Sequence, residues 1–241
     1  MTDNTRVYTG RRVINPTKKI SVQAKTENQA TYIGALSNDV TMLFCMGEAG
    51  TGKTFLAVAR AVEALEAEEI ERIILVRPNV ESGEKMGHLP GTEQDKVDPY
   101  MRPFYDALHQ FLGADKVKSY IEQRIIEVSS LQLMRGRTLD KAYILLDEAQ
   151  NTTCEQMKMF LTRIGLGSRM FIMGDITQND LPRDIKSGLA DIVQRFRGTV
   201  EAPSGGGYEK NKFGDIGFMF FTEDDVVRHP IIRHVLNAYK D

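Results

Sequence analysis

Cysteine is scarce in this chain of 241 residues: Cys45 lies in an apolar stretch and Cys154 at a predicted helix start. Neither has metal-ligand spacing, so both are read as reduced thiols, and a disulfide framework is excluded. Charge imbalance is also missing. Thirty-one Lys and Arg against 33 Asp and Glu give a formal net charge of −2. No global basic field exists to hold nucleic acid, and any such contact must come from a local patch. No apolar run approaches the roughly 18 residues of a membrane span, and the N-terminus lacks an apolar signal core. The expectation is a cytoplasmic protein that does not enter a membrane. Internal repeats and a second domain boundary are absent too. What remains is ordinary globular composition, 41% hydrophobic and 27% charged, in a chain long enough to bury a substantial core.

One stretch carries chemistry on its face. Gly47-Glu48-Ala49-Gly50-Thr51-Gly52-Lys53-Thr54 fits G-x-x-x-x-G-K-[ST]. The apolar run Val40–Met46 before it reads as a buried strand. After it, Phe55, Leu56, Val58, Ala59, Val62 and Leu65 recur at helical spacing. Glycines let backbone N–H groups turn inward toward phosphate oxygens, and the following helix offers its positive end. Lys53 is expected on the β- and γ-phosphates, and the Thr54 hydroxyl on Mg²⁺.

Further apolar runs alternate with helical patterns. Ile73–Val76 stops at Arg77-Pro78, Tyr143–Leu146 runs into Asp147-Glu148-Ala149-Gln150, and Met170–Met173 runs into Gly174-Asp175-Ile176-Thr177-Gln178. Such alternation predicts an α/β fold, a mostly parallel sheet with helices on both faces, whose ligands sit at the carboxyl ends of the strands. Helices are expected after Thr26, along the stripe Val97, Met101, Phe104, Leu108 and Phe111, after a cap in Thr152-Thr153-Cys154-Glu155, and from Pro230. Ser204-Gly205-Gly206-Gly207 is expected inside a hairpin completed by Ile216–Phe221. Residues 1–20 form a basic arm carrying Arg6, Arg11, Arg12, Lys18 and Lys19, ahead of one domain over 21–241. Residues 78–93 lack periodicity, and a loop of that length inside a domain points to function.

The strand-end residues define a hydrolytic set. Asp147 is suited to holding Mg²⁺ opposite Thr54, and Glu148 to orienting or deprotonating the attacking water. Gln178 can bond a γ-phosphate oxygen or that water. Gln29 has two readings: its amide can meet an adenine edge, or it can be the third helical residue of a capping box begun by Thr26.

Asp147–Gln150 and Gly174–Gln178 resemble motifs II and III of superfamily 1 helicases. Together with Leu75–Pro78, Gly87-His88-Leu89-Pro90-Gly91, Met134–Leu139 and Val227-Arg228-His229-Pro230, the chain resembles the PhoH-like ATPases over roughly residues 20 to 240. That resemblance implies a single RecA-like P-loop core using ATP and Mg²⁺, with a role in RNA metabolism. Many bacterial relatives carry an added nuclease domain, which this sequence lacks. The short form resembles bacterial and bacteriophage types, which extends the expected location to a host cytoplasm.

Superfamily 1 helicases place ATP between two cores, and this chain has one. An arginine for the γ-phosphate must then come from the chain's own C-terminal part or from a neighbouring subunit, which implies a homo-oligomer such as a hexameric ring. Arg77, Arg135, Arg137, Arg183, Arg228 and Arg233 are the candidates, Arg228 the first choice. RNA or single-stranded DNA is the expected partner, through the 78–93 loop and the basic 135–141 segment, with Tyr100, Phe104 or Tyr105 available for stacking. Two other readings share the phosphate loop: a small-molecule kinase, and a nucleotide-gated scaffold without turnover.

Overall fold

The computed structural model describes residues 20, 22–37, 40–78, 101–227 and 231. Seven strands form one sheet in the order β3-β2-β4-β5-β1-β7-β6. In chain order these are β1 (Met42–Met46), β2 (Arg72–Arg77), β3 (Ile126–Ser130), β4 (Ala142–Leu146), β5 (Arg169–Gly174), β6 (Gly207–Lys210) and β7 (Ile216–Phe220). Every pairing is parallel except the β6–β7 hairpin. The helices are α1 (Glu27–Ser37), α2 (Lys53–Glu66), α3 (Arg102–Leu112), α4 (Ala114–Glu122), α5 (Cys154–Leu161) and α6 (Gly188–Arg197).

Side chains of a strand alternate between faces, so a sheet buried on both sides needs apolar residues at every position. That is what the central strands supply. Leu43, Cys45, Ile73, Leu75, Leu145 and Phe171 point into one core with α1 to α4. Phe44, Ile74, Ile144, Leu146, Met170 and Ile172 point into a second core with α5 and α6. The expected helices on both faces are present. Burial also fixes the thiol of Cys45, whose pKa is pushed up to about 12 by desolvation against the opposing charge of Lys53. Both cysteines are unpaired. No helix among the described residues is long and apolar enough to cross a membrane.

Several local expectations shift. Pro103 sits in the first turn of α3, where its missing N–H leaves no bond unmade, so the helix starts at Arg102. The glycines at 205–207 lead into β6, whereas the hairpin turns at Asn211–Asp215, where Asn211 Oδ1 accepts Gly214 N at 2.9 Å. Residues 1–19 of the basic arm, the 79–93 part of the loop, Tyr100 and the helix expected from Pro230 lie outside the described residues, Ile231 excepted. Two of the three cations of the basic 135–141 segment are paired with acidic side chains. Arg137 is held by both oxygens of Glu127, and Lys141 lies before β4, at the amino-terminal edge, paired with Glu71.

Both ends of the described chain meet at α1. The buried Asp225 carboxylate accepts from Thr26 Oγ1 at 2.6 Å, Asn28 Nδ2 at 2.8 Å and Thr222 N at 2.8 Å. Burial pushes its pKa up, but these donors outweigh burial and leave it below the usual carboxylate value. A depressed folded pKa means the stabilisation is present above the unfolded value of about 3.9 and is lost as pH falls through the folded one. Asp225→Asn is expected to lower stability at pH 6 by about 1–3 kcal/mol. That gap to the unaltered chain should close as urea unfolding is repeated toward pH 3.

Candidate nucleotide-binding site

The loop between β1 and α2 takes its shape from its glycines. Gly50 and Gly52 have φ of 92° and 90°, a region that L side chains avoid, and Gly52 N-caps α2 with no side-chain cap. The first amides of α2 are therefore left for an anion. Gly47 lets Phe221 approach from behind: a Cβ there would lie 2.6 Å from Phe221 Cβ.

Lys53 is buried and points back into its own loop, donating to Gly47 O at 2.6 Å and Glu48 O at 2.8 Å. Thr54 Oγ1 donates to Asp147 Oδ1 at 3.0 Å. Asp147 Oδ2 accepts from Arg77 Nη2 at 3.1 Å, and the same nitrogen donates to Glu148 Oε1 at 3.1 Å. Four strand ends thus meet. β1 brings the loop, β2 brings Arg77 and β4 brings the carboxylates, while β5, lying between β1 and β4, brings Gly174, Asp175 and Gln178.

A cleft of about 400 Å³ runs along these residues. Lys53, Thr54, Asp147, Glu148 and Gln178 all line it, as do Ala49, Gly50 and Gly52. Gly47, Glu48 and Thr51 of the loop do not line it, and Thr51 Oγ1 donates to Glu48 O at 2.8 Å. Glu148 occupies the left-handed region at φ 53° and ψ 37°, which turns its half-exposed side chain toward the cleft. A non-glycine residue there stores of order 1–3 kcal/mol of strain. Asp175 Oδ1 accepts from Thr177 N and Oγ1, while its buried Oδ2 has no hydrogen-bond partner among the described residues.

Gln29 is brought to the loop but does not line the cleft. Its Nε2 donates to Thr51 O at 3.0 Å and its Oε1 accepts Lys25 N at 2.8 Å. Thr26 Oγ1 accepts Gln29 N at 3.2 Å, which is half of the expected capping box. Both ends of the amide are used by backbone, so this geometry does not coincide with the adenine-edge reading. Arg228 and Arg233 lie outside the described residues, and Val227 N donates to Gly50 O at 3.0 Å. Arg135 and Arg183 are exposed.

Three contributors escape the sequence patterns. Asp106 and Gln110, one turn apart on α3, line the cleft opposite the loop. Gln150 is 2% exposed and bonds Glu148 Oε2 at 2.6 Å. Only the last lies within a motif that could have signalled it.

The sheet order, the glycine-shaped loop and the facing Thr54 and Asp147 define a RecA-like P-loop core. A family model described as PhoH-like protein matches residues 21–240. The PhoH-like protein of Bacillus subtilis (strain 168) is 49% identical over 91% of this chain and 64% of its own length. Protein PhoH of Escherichia coli (strain K12) is 40% identical over 90% of this chain and 58% of its own. The chain belongs to the PhoH-like protein family, and it spans less than two thirds of the length of these relatives. Among solved structures, the Phi-28 gp11 DNA packaging motor is 14% identical, with a TM-score of 0.47, over 86% of this chain and 64% of that one. The Sulfolobus solfataricus SWI2/SNF2 ATPase core in complex with dsDNA is 16% identical, with a TM-score of 0.42, over 68% and 34%.

Because Gln29 braces Thr51 and touches no cleft surface, Gln29→Ala is expected to weaken ATP and GTP binding alike, by about 3- to 10-fold, the loss of one buried hydrogen bond. Fluorescent-analogue competition measures both. A loss confined to ATP would restore the adenine reading.

Proposed function

We propose that this protein hydrolyses ATP to ADP and phosphate. The observation that carries the reading is the 3.0 Å bond between Thr54 and Asp147, beside Glu148 and in one cleft with Lys53. The donor set also fits Mg²⁺: a hydroxyl on α2 faces a buried carboxylate, hard oxygen ligands of the kind this cation takes. Thr54 and Asp147 would hold it, and it would neutralise charge on the phosphate oxygens.

The protein's own groups do the rest. Backbone amides of 49–54 bind the phosphates, and Lys53 exchanges the carbonyls of Gly47 and Glu48 for phosphate oxygens. The ammonium's attraction to an anionic phosphate oxygen exceeds that to a neutral carbonyl, so this exchange is favourable when a ligand arrives. Glu148 takes a proton from the attacking water, and Gln178 orients that water or the γ-phosphate. The bond from water oxygen to phosphorus forms as the bridging P–O bond breaks, and ADP leaves with the electron pair.

Coupling to RNA or single-stranded DNA, and assembly into a homo-oligomeric ring, complete the proposal. Resemblance to helicase motifs II and III supports the first. Resemblance to helicases, which set ATP between two cores, supports the second: a neighbouring subunit would supply the arginine that stabilises transferring phosphate.

Lys53→Ala is expected to abolish nucleotide binding. Glu148→Gln should keep ATP binding while phosphate release falls by about 10²–10⁴. Unchanged release by either variant refutes the hydrolytic assignment. Sedimentation with ATP and Mg²⁺ should show an assembly larger than a monomer, and single strands of RNA should bind with an affinity that falls steeply with salt. A monomer hydrolysing at full rate overturns the ring.

A further inference from the structure

Glu148 is held at both carboxylate oxygens by two unlike donors. Arg77 Nη2 donates to Oε1 at 3.1 Å, and Gln150 Nε2 donates to Oε2 at 2.6 Å. Arg77 lines the cleft and is shared with Asp147, so an incoming triphosphate competes directly for its guanidinium.

Gln150 has no such freedom. Its Oε1 accepts the amide of Asp175 at 3.0 Å, and its backbone carbonyl accepts Ser187 Oγ at 2.8 Å. Gly174 makes room for it: a Cβ at that position would lie 2.7 Å from Gln150 Oε1. A side-chain amide has one accepting end and one donating end. With the accepting end fixed on a backbone N–H, the donating end must face Glu148. The bridge ties the carboxylate at the end of β4 to the end of β5, three residues before Gln178.

We infer that Gln150 is a positioning residue for hydrolysis, anchoring Glu148 Oε2 so that Oε1 is the oxygen that receives the proton of the attacking water. The same geometry makes Arg77 the gate. It covers Oε1 until phosphate draws it away, and the base is exposed only when there is substrate to attack. The proton passes from water to Oε1 as the water oxygen bonds the γ-phosphorus and ADP departs with the electron pair. This inference rests on the hydrolytic reading above, and the experiment separates the two.

Gln150→Met keeps the length and volume of the side chain and removes both of its bonds. Single-turnover phosphate release is expected to fall about 10- to 100-fold, the scale of a misplaced catalytic group. Affinity for a non-hydrolysable ATP analogue should stay within about threefold. The deciding arm is the same substitution added to Glu148→Gln, where no carboxylate remains to be positioned. There it should change the residual rate less than about twofold, because groups acting as a unit are not additive. Equal losses in both backgrounds, or weakened analogue binding, mean that Gln150 is only structural and overturn the inference. If Gln150→Met does not fold, Gln150→Leu replaces it. That variant also removes both side-chain bonds and should give the same pattern. Release by the unaltered chain no faster than by Lys53→Ala would remove the hydrolytic reading itself, and this inference with it.

Discussion

The hydrogen bond from Thr54 Oγ1 to Asp147 Oδ1 joins residues 93 apart in sequence at 3.0 Å. It exists because β1 and β4 run parallel with only β5 between them, so that the loop leaving one and the carboxylates leaving the other open on the same edge. Every other part of the site is referred to that edge. A buried carboxylate is costly unless it is paired or hydrogen-bonded, and Asp147 is both, through Thr54 and Arg77. The two partners come from α2 and β2, so the charge that binds ligand also ties a helix and two strand ends of the fold together.

Around this edge the protein is built to hold charges apart from water and close to one another. Lys53 is satisfied by carbonyls of its own loop, and Arg77 by two carboxylates. Removing one partner from such a set strands the other in low dielectric, which is why these contacts are worth more than exposed ion pairs such as Lys141–Glu71. The phosphate loop is braced from behind by neutral groups, Gln29 on Thr51 O and Phe221 against Gly47. Its cleft side is thereby left to polar atoms that a phosphate can use.

Much of this was legible in the residues. The phosphate loop, the four central strands and their polar ends follow from local patterns, because a strand buried on both faces needs an unbroken apolar run and a phosphate loop needs glycine at fixed spacing. Asp147 and Glu148 were visible as the end of such a run. α4 and α6 were not, since their buried residues are few: Val117 in the one, and Leu189 and Val193 among the apolar side chains of the other. The glycines at 205–207 carried a turn signal in the right neighbourhood but marked the entry to the hairpin, because Asn211 offered its side chain to the turn instead.

The sequence by itself determined the chemistry present: an ammonium, a hydroxyl, two adjacent carboxylates and a flexible anion-binding backbone, each announced by residues near it in the chain. Tertiary structure alone decided who meets whom. Gln29 had two possible partners until α1 was set against the loop and gave its amide to Thr51 and Lys25. Arg77 was one of several arginines until β2 paired with β4 and put its guanidinium between Asp147 and Glu148. Local patterns arise from interactions within a few residues, whereas these contacts are set by strand order and by the packing of helices on the sheet, which no short window of sequence contains.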